Sequence, residues 1–119
     1  MVLVVDDDVT VAGDLRTELS SHQVQVESVT DATAAIAALN AQPYCGLILD
    51  LVLEKGSGFD VLDHIVKNRI SIPIVVLTGK LPSYVREMLD AERVKLVIPK
   101  PVEPRLLAAI VLGLCGIPA

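Results

Sequence analysis

Apolar residues follow two rhythms in this chain, and the two alternate from one end to the other. Strand-like runs rich in Val, Ile and Leu lie at about 2–6, 46–50, 74–78 and 94–98, the first three of them continuously apolar. A run near 24–29 alternates instead, with Val24, Val26 and Ser28 set against Gln25, Glu27 and Val29. Continuous runs fit parallel strands covered on both faces, and an alternating one fits an edge strand. Between the runs, apolar residues recur at helical spacing: Val11, Leu15 and Leu19; Ala32, Ala35, Ile36 and Leu39; Leu62, Ile65 and Val66; Val85, Met88 and Leu89. Pro43 and Pro73 close the second and third of these segments, and Pro82-Ser83 opens the fourth. A fifth helix is expected from Glu103-Pro104, because proline suits a first helical turn.

Five strand–helix units without a repeat signature predict right-handed crossovers and a doubly wound parallel sheet. Pro99 falls inside the last strand and cannot donate to a ladder, which puts that strand at an edge. With the alternating second strand at the other edge, the order is 2-1-3-4-5, that of flavodoxin-like α/β folds. The 119 residues suit one domain spanning 1–119, with no output domain.

Composition narrows the function classes. Hydrophobic residues make up 52% and charged residues 21%, which opposes disorder. No apolar run has the length of a membrane span, and no charged segment precedes the first run as a secretory signal requires. The net charge of −5, the 3% aromatic content and the lack of a basic stripe argue against direct nucleic-acid binding. Cys45 and Cys115 have neither metal nor redox-motif spacing, so two reduced, mostly buried thiols in a cytoplasmic protein are expected.

The chemistry lies where the runs stop. They end in Asp6-Asp7-Asp8, Asp50, Thr78 and Lys100. The order 2-1-3-4-5 gathers these ends at one sheet edge, where open α/β folds place their sites. Clustered carboxylates raise one another's pKa, and a divalent cation such as Mg²⁺ or Mn²⁺ resolves that conflict. Asp8 also suits a helix cap. Asp50 does not, being followed by Leu51-Val52-Leu53. A carboxylate beside such a cation can attack a phosphoryl group, and Lys100 and Thr78 offer an ammonium and a hydroxyl to the developing charge.

Taken together, Val4-Val5-Asp6-Asp7-Asp8, Leu49-Asp50 with Gly58 eight residues on, Val76-Leu77-Thr78-Gly79 and Lys100-Pro101 resemble the receiver domain of two-component response regulators, over essentially the whole chain. The resemblance implies a phosphoacceptor regulatory domain rather than a turnover enzyme. Asp50 is then the phosphorylated residue, and Asp7, Asp50 and the Val52 backbone carbonyl ligate Mg²⁺, with Asp6 acting largely through water. It further implies that Thr78 binds phosphoryl oxygens, Lys100 bridges to Asp50 or its phosphate, and the Lys100-Pro101 bond is cis. The implied partner is a sensor histidine kinase or a phosphotransfer protein carrying a phosphohistidine.

Two positions depart from the family pattern, and two more bear on phosphoryl lifetime. Glu54 stands where a proline is usual, which predicts a more mobile Lys55-Gly56-Ser57-Gly58 loop. Val97 replaces the usual aromatic switch residue. The switch then runs through backbone shifts around Thr78-Gly79-Lys80, or signalling is weaker. Val52 and Lys80 occupy positions that tune phosphoryl lifetime, and a valine that cannot orient water predicts slow autodephosphorylation. The helix over Leu106-Leu107-Ala108-Ala109-Ile110-Val111-Leu112 is apolar nearly all round, which predicts partner docking or a homodimer through the fourth helical segment, fifth strand and fifth helical segment, or a covering remainder of chain. Two other functions compete. A haloacid dehalogenase-type phosphohydrolase would use Asp6-x-Asp8-x-Thr10, with Asp6 as nucleophile and Asp8 as acid/base. A degenerate receiver would act as an interaction module without phosphorylation.

Overall fold

The computed structural model describes residues 1–79 and 94–117. Within them the chain runs β1 (Val2–Val5), α1 (Val9–Glu18), β2 (Val26–Val29), α2 (Ala32–Ala41), β3 (Gly46–Asp50), α3 (Gly58–Lys67), β4 (Ile74–Thr78), β5 (Val94–Pro99) and a C-terminal helix (Pro104–Leu114). The five strands form one parallel sheet in the order β2-β1-β3-β4-β5, so the doubly wound, flavodoxin-like expectation holds. The helix expected around Val85, Met88 and Leu89 lies outside the described residues, as does Lys80.

Continuous apolar runs are needed because each central strand feeds two cores. Leu3, Val5, Leu47, Leu49, Ile74 and Val76 pack on one face with Ala35 and Leu39 of α2 and Leu62 and Ile65 of α3. Val2, Val4, Ile48, Val75 and Leu77 pack on the other with Leu15 and Leu19 from the α1 segment and Leu107 and Val111 of the C-terminal helix. Helix starts are set locally. The Asp31 carboxylate accepts from the Ala34 amide at 2.7 Å, and Ser57 and Asp60 form a reciprocal capping box on α3. Such caps are worth about 1 kcal/mol each, whereas a buried leucine contributes several. Caps therefore fix boundaries, and the two cores fix the fold.

Several details differ from the sequence reading. β2 begins at Val26 rather than near residue 24, and the Arg16 guanidinium donates to the Val26 carbonyl at this sheet edge. In α3 the inward stripe is Val61, Leu62 and Ile65, leaving Val66 exposed. The C-terminal helix buries Leu107, Ala108, Val111 and Leu112, and its outward side is mainly small residues around Leu106, which is 52% exposed. The apolar surplus is thus smaller than the sequence suggests.

The cysteines are the clearest correction. Cys45 and Cys115 are joined by a disulfide, with Cα atoms 4.9 Å apart, and both are half-buried. They are not the reduced, mostly buried thiols expected. Topology brings them together. The C-terminal helix returns from the carboxyl edge of the sheet to its amino edge, where Cys45 precedes β3. A sequence separation of 70 hides this proximity from any spacing rule.

Candidate functional site

Parallel register delivers the four chemical residues to one edge. Val5 pairs with Leu49, so Asp6 emerges beside Asp50, the last residue of β3. Thr78 ends β4 and pairs with Pro99, and Lys100 follows at once. The Lys100 amide donates to the Thr78 carbonyl at 2.8 Å, closing the edge, and the Lys100-Pro101 peptide is cis as expected. Asp6, Asp50 and Thr78 are all buried.

One carboxylate oxygen from each of Asp6, Asp7 and Asp50 lies within 4.8 Å of the others. The Lys100 ammonium is 2.7 Å from Asp6 Oδ2 and 3.0 Å from Asp50 Oδ2. One oxygen of each carboxylate is held by a backbone donor. Asp6 Oδ1 accepts from the Asp8 amide at 2.9 Å, Asp50 Oδ1 from the Val52 amide at 3.0 Å and Asp7 Oδ2 from the Glu54 amide at 3.1 Å. Three carboxylates facing one ammonium leave uncompensated negative charge. Burial pushes the Asp6 carboxyl above its ordinary value, aided by the Asp50 charge and opposed by the Lys100 and Asp8 hydrogen bonds. Burial alone would lower the Lys100 ammonium. Its bonds to Asp6 and Asp50 outweigh that and hold it above its ordinary value. A hard-oxygen cluster with surplus negative charge and no soft donor suits a cation of the Mg²⁺ type, which takes a few carboxylates and keeps several waters.

Asp8 stands apart from this cluster as the cap of α1. It accepts from the Thr10 amide at 3.1 Å and the Thr10 hydroxyl at 2.6 Å, which hold its carboxyl below the ordinary value. An acid so committed is a poor proton donor, which weighs against the hydrolase arrangement.

The loop after Asp50 makes several backbone contacts. Val52 bridges to Ser57, the Gly58 amide donates to the Leu51 carbonyl, and the Ala32 amide donates to the Lys55 carbonyl. Gly56 takes a φ of +79° against Ala32, a conformation that favours glycine. Gly58 has a different reason. A Cβ there would lie 2.5 Å from the Asp50 carbonyl oxygen and 2.7 Å from Leu51 Cα. The α3 start is pressed against the backbone that carries Asp50. Gly58→Ala should therefore cost roughly 1–3 kcal/mol of stability, read by chemical denaturation, because the added methyl must displace the backbone that carries Asp50.

The positions expected to tune the site are spread around the edge. Val52 is 71% exposed and Gly79 is exposed, while Val97 is half-buried against the core on the α2–α3 side. Pro101 and Lys100 line a cavity of about 410 Å³ with Asp8, Thr10, Asp14 and Pro104. The Asp8 and Glu54 amides, which orient Asp6 and Asp7, were not legible as site groups, because a backbone N–H has no residue signature.

Comparison with known proteins identifies the family. A family model for the response regulator receiver domain matches residues 2–112. The transcriptional regulatory protein QseB of Haemophilus influenzae is 34% identical over 94 residues, covering 79% of this chain and 39% of that protein. The photosynthetic apparatus regulatory protein RegA of Rhodovulum sulfidophilum is 35% identical over 78 residues, covering 66% of this chain and 43% of that one. The chain thus spans well under half the length of these relatives. Among solved structures, the non-phosphorylated HemR receiver domain from Leptospira biflexa shares the fold with a TM-score of 0.84 at 24% identity, covering 99% of this chain and 95% of that one. The receiver domain of NtrX from Brucella abortus does so at 0.82 and 24%, covering 98% of each. The chain belongs to the response regulator receiver domain family, the regulatory modules of two-component signalling.

Proposed function

We propose that Asp50 is the phosphoacceptor of this receiver and that residues 1–119 act as one phosphorylation-controlled signalling domain. The observation that carries this reading is the Lys100 ammonium bridging Asp6 and Asp50 beside a third carboxylate, Asp7. An Asp50 oxygen attacks phosphorus, the bond from phosphorus to the donor's imidazole nitrogen breaks, and the imidazole leaves. Lys100 stands where it can neutralise charge on the transferred group, and Thr78 is assigned to the phosphoryl oxygens. Asp6, Asp7, Asp50 and the Val52 carbonyl are assigned to Mg²⁺ or Mn²⁺. The bound cation would screen the carboxylates and the phosphoryl oxygens from each other.

The donor in this reading is a sensor histidine kinase or a phosphotransfer protein, and the setting is the cytoplasm. Among the described residues no helix is long and apolar enough to cross a membrane. The self-catalysed step is a single modification followed by slow autodephosphorylation, so the domain acts as a switch and not as an enzyme with turnover. Output is proposed to pass through β5 and the C-terminal helix, as partner docking or a homodimer. Leu96 of β5 and Leu106 of the helix, 45% and 52% exposed, support that assignment. The acidic net charge supports a reading without direct nucleic-acid contact.

Incubation with acetyl phosphate should add one phosphoryl group in the presence of Mg²⁺ and none in excess EDTA, read by intact mass. Equal labelling in EDTA would remove the cation from the scheme. The exposed Val52 side chain cannot position water by hydrogen bonding. Val52→Asn should therefore speed loss of the phosphoryl group several-fold, and more than Val52→Ala does, measured as the decay of the adduct mass. Faster decay in Val52→Ala would contradict this cause.

A further inference from the structure

We propose that Cys45 and Cys115 form a reversible thiol–disulfide site that clamps the end of the C-terminal helix to the start of β3. Cys45 is the residue before β3, and its amide donates to the Met1 carbonyl at 2.9 Å. Cys115 is the cap residue of the C-terminal helix, bonded through its amide to the Val111 carbonyl. Both directly flank regular structure and are tied to it by backbone hydrogen bonds, so the thiols of the reduced form stay close enough to close again. Close seating of the helix end reinforces this. A Cβ at Gly46 would lie 3.1 Å from Leu114 Cδ1, so the helix end sits close against the strand start. Both cysteines are half-buried, which leaves the bond within reach of small thiols.

The reversibility rests on the cytoplasmic setting proposed above, where accessible disulfides exchange with a thiol pool and those that form are commonly redox-responsive. The oxidant is a low-molecular-weight disulfide of the glutathione class. One cysteine thiolate attacks it, forming a mixed disulfide and expelling one glutathione thiolate. The second cysteine attacks the sulfur of the first and expels another. Two electrons pass to the oxidant, and the two protons lost by the cysteines end on two glutathione thiols. Reduction runs the same steps backward. The bond lies at the amino edge of the sheet and Asp50 at the carboxyl edge, so the clamp governs the helix end and its Gly116-Ile117 continuation rather than phosphoryl chemistry.

The test equilibrates the folded full chain in buffers from reduced to oxidised glutathione, alkylates free thiols and counts them by intact mass. The expected result is a reversible passage between two free thiols and none. Reduction should lower the melting temperature by on the order of 10 °C. It should also speed hydrogen exchange at the Cys115 and Ile117 amides, which bond to Val111 and Leu112. The double variant Cys45→Ser/Cys115→Ser should match the reduced chain in any buffer. A bond that survives reduced glutathione in the folded chain, thiols that stop at the mixed disulfide, or a reduced form with unchanged melting and exchange would each overturn the proposal. Asp50 labelling by acetyl phosphate is read in the same samples, so failure of the redox site and failure of the phosphoacceptor assignment are told apart.

Discussion

Asp50→Ala should abolish the acetyl phosphate adduct while the domain stays folded. Asp50 closes a strand whose other residues, Leu47, Ile48 and Leu49, fill both cores, and the substitution touches neither. The Lys100 ammonium keeps Asp6 as its partner at 2.7 Å. Intact mass before and after incubation reads the first half, and an unchanged cooperative thermal transition reads the second. An undiminished adduct in the variant would place the phosphoryl group elsewhere. Asp6→Ala should only weaken labelling. Its carboxylate is assigned to the cation and to Lys100 rather than to phosphorus.

Lys100→Ala separates two roles that the same cluster combines. Removing the ammonium takes away the charge that faces Asp50, and loss of such a donor typically costs 10²–10³-fold in rate, so labelling should slow by about that factor. Cation affinity should move the other way, because Lys100 competes with a divalent ion for the same oxygens. Mg²⁺ should bind Lys100→Ala more tightly than the parent, as titration by intrinsic or calorimetric signal would show. Stability without metal should fall, since Asp6 is 1% exposed and loses its counter-charge. Asp6 already protonates more readily than an ordinary carboxyl because it is buried. The variant should therefore lose least stability at acid pH, and the loss should grow as pH rises through the Asp6 titration. Equal slowing of labelling with weaker cation binding would mean that Lys100 acts by holding the edge together, not by charge.

Much of this site was legible because the strands are parallel. A parallel strand exposes its last residue at one edge, so apolar runs ending in Asp6, Asp50, Thr78 and Lys100 announce a shared location once the strand order is fixed. Pro99 and the alternation of 24–29 fixed that order by marking the two edges. What stayed hidden depended on contacts without a local pattern. Gly58 was visible as a spacing but not as a steric necessity, because the clash involves the backbone of Asp50. The loop after Asp50 was expected to be loose on the evidence of Glu54. The hydrogen bonds it makes come from amides donating to Asp7 and to the Leu51 and Lys55 carbonyls, and any residue can supply these except proline. The Cys45–Cys115 bond needed the return path of a helix across the sheet. Val66 fell outside the core because the stripe of α3 is centred one residue earlier than its periodicity suggested.

Substitution at Asp50 removes an assigned cation ligand together with the proposed nucleophile, so loss of labelling alone does not locate the phosphoryl group. Reductive trapping does. Borohydride attacks the acyl carbon of an aspartyl phosphate and converts that residue to homoserine, and peptide mass spectrometry then identifies the position. The phosphoacceptor account predicts homoserine at residue 50 in the Mg²⁺-treated parent and in no sample lacking acetyl phosphate. Homoserine at residue 6 would contradict it and return the chain to the hydrolase arrangement.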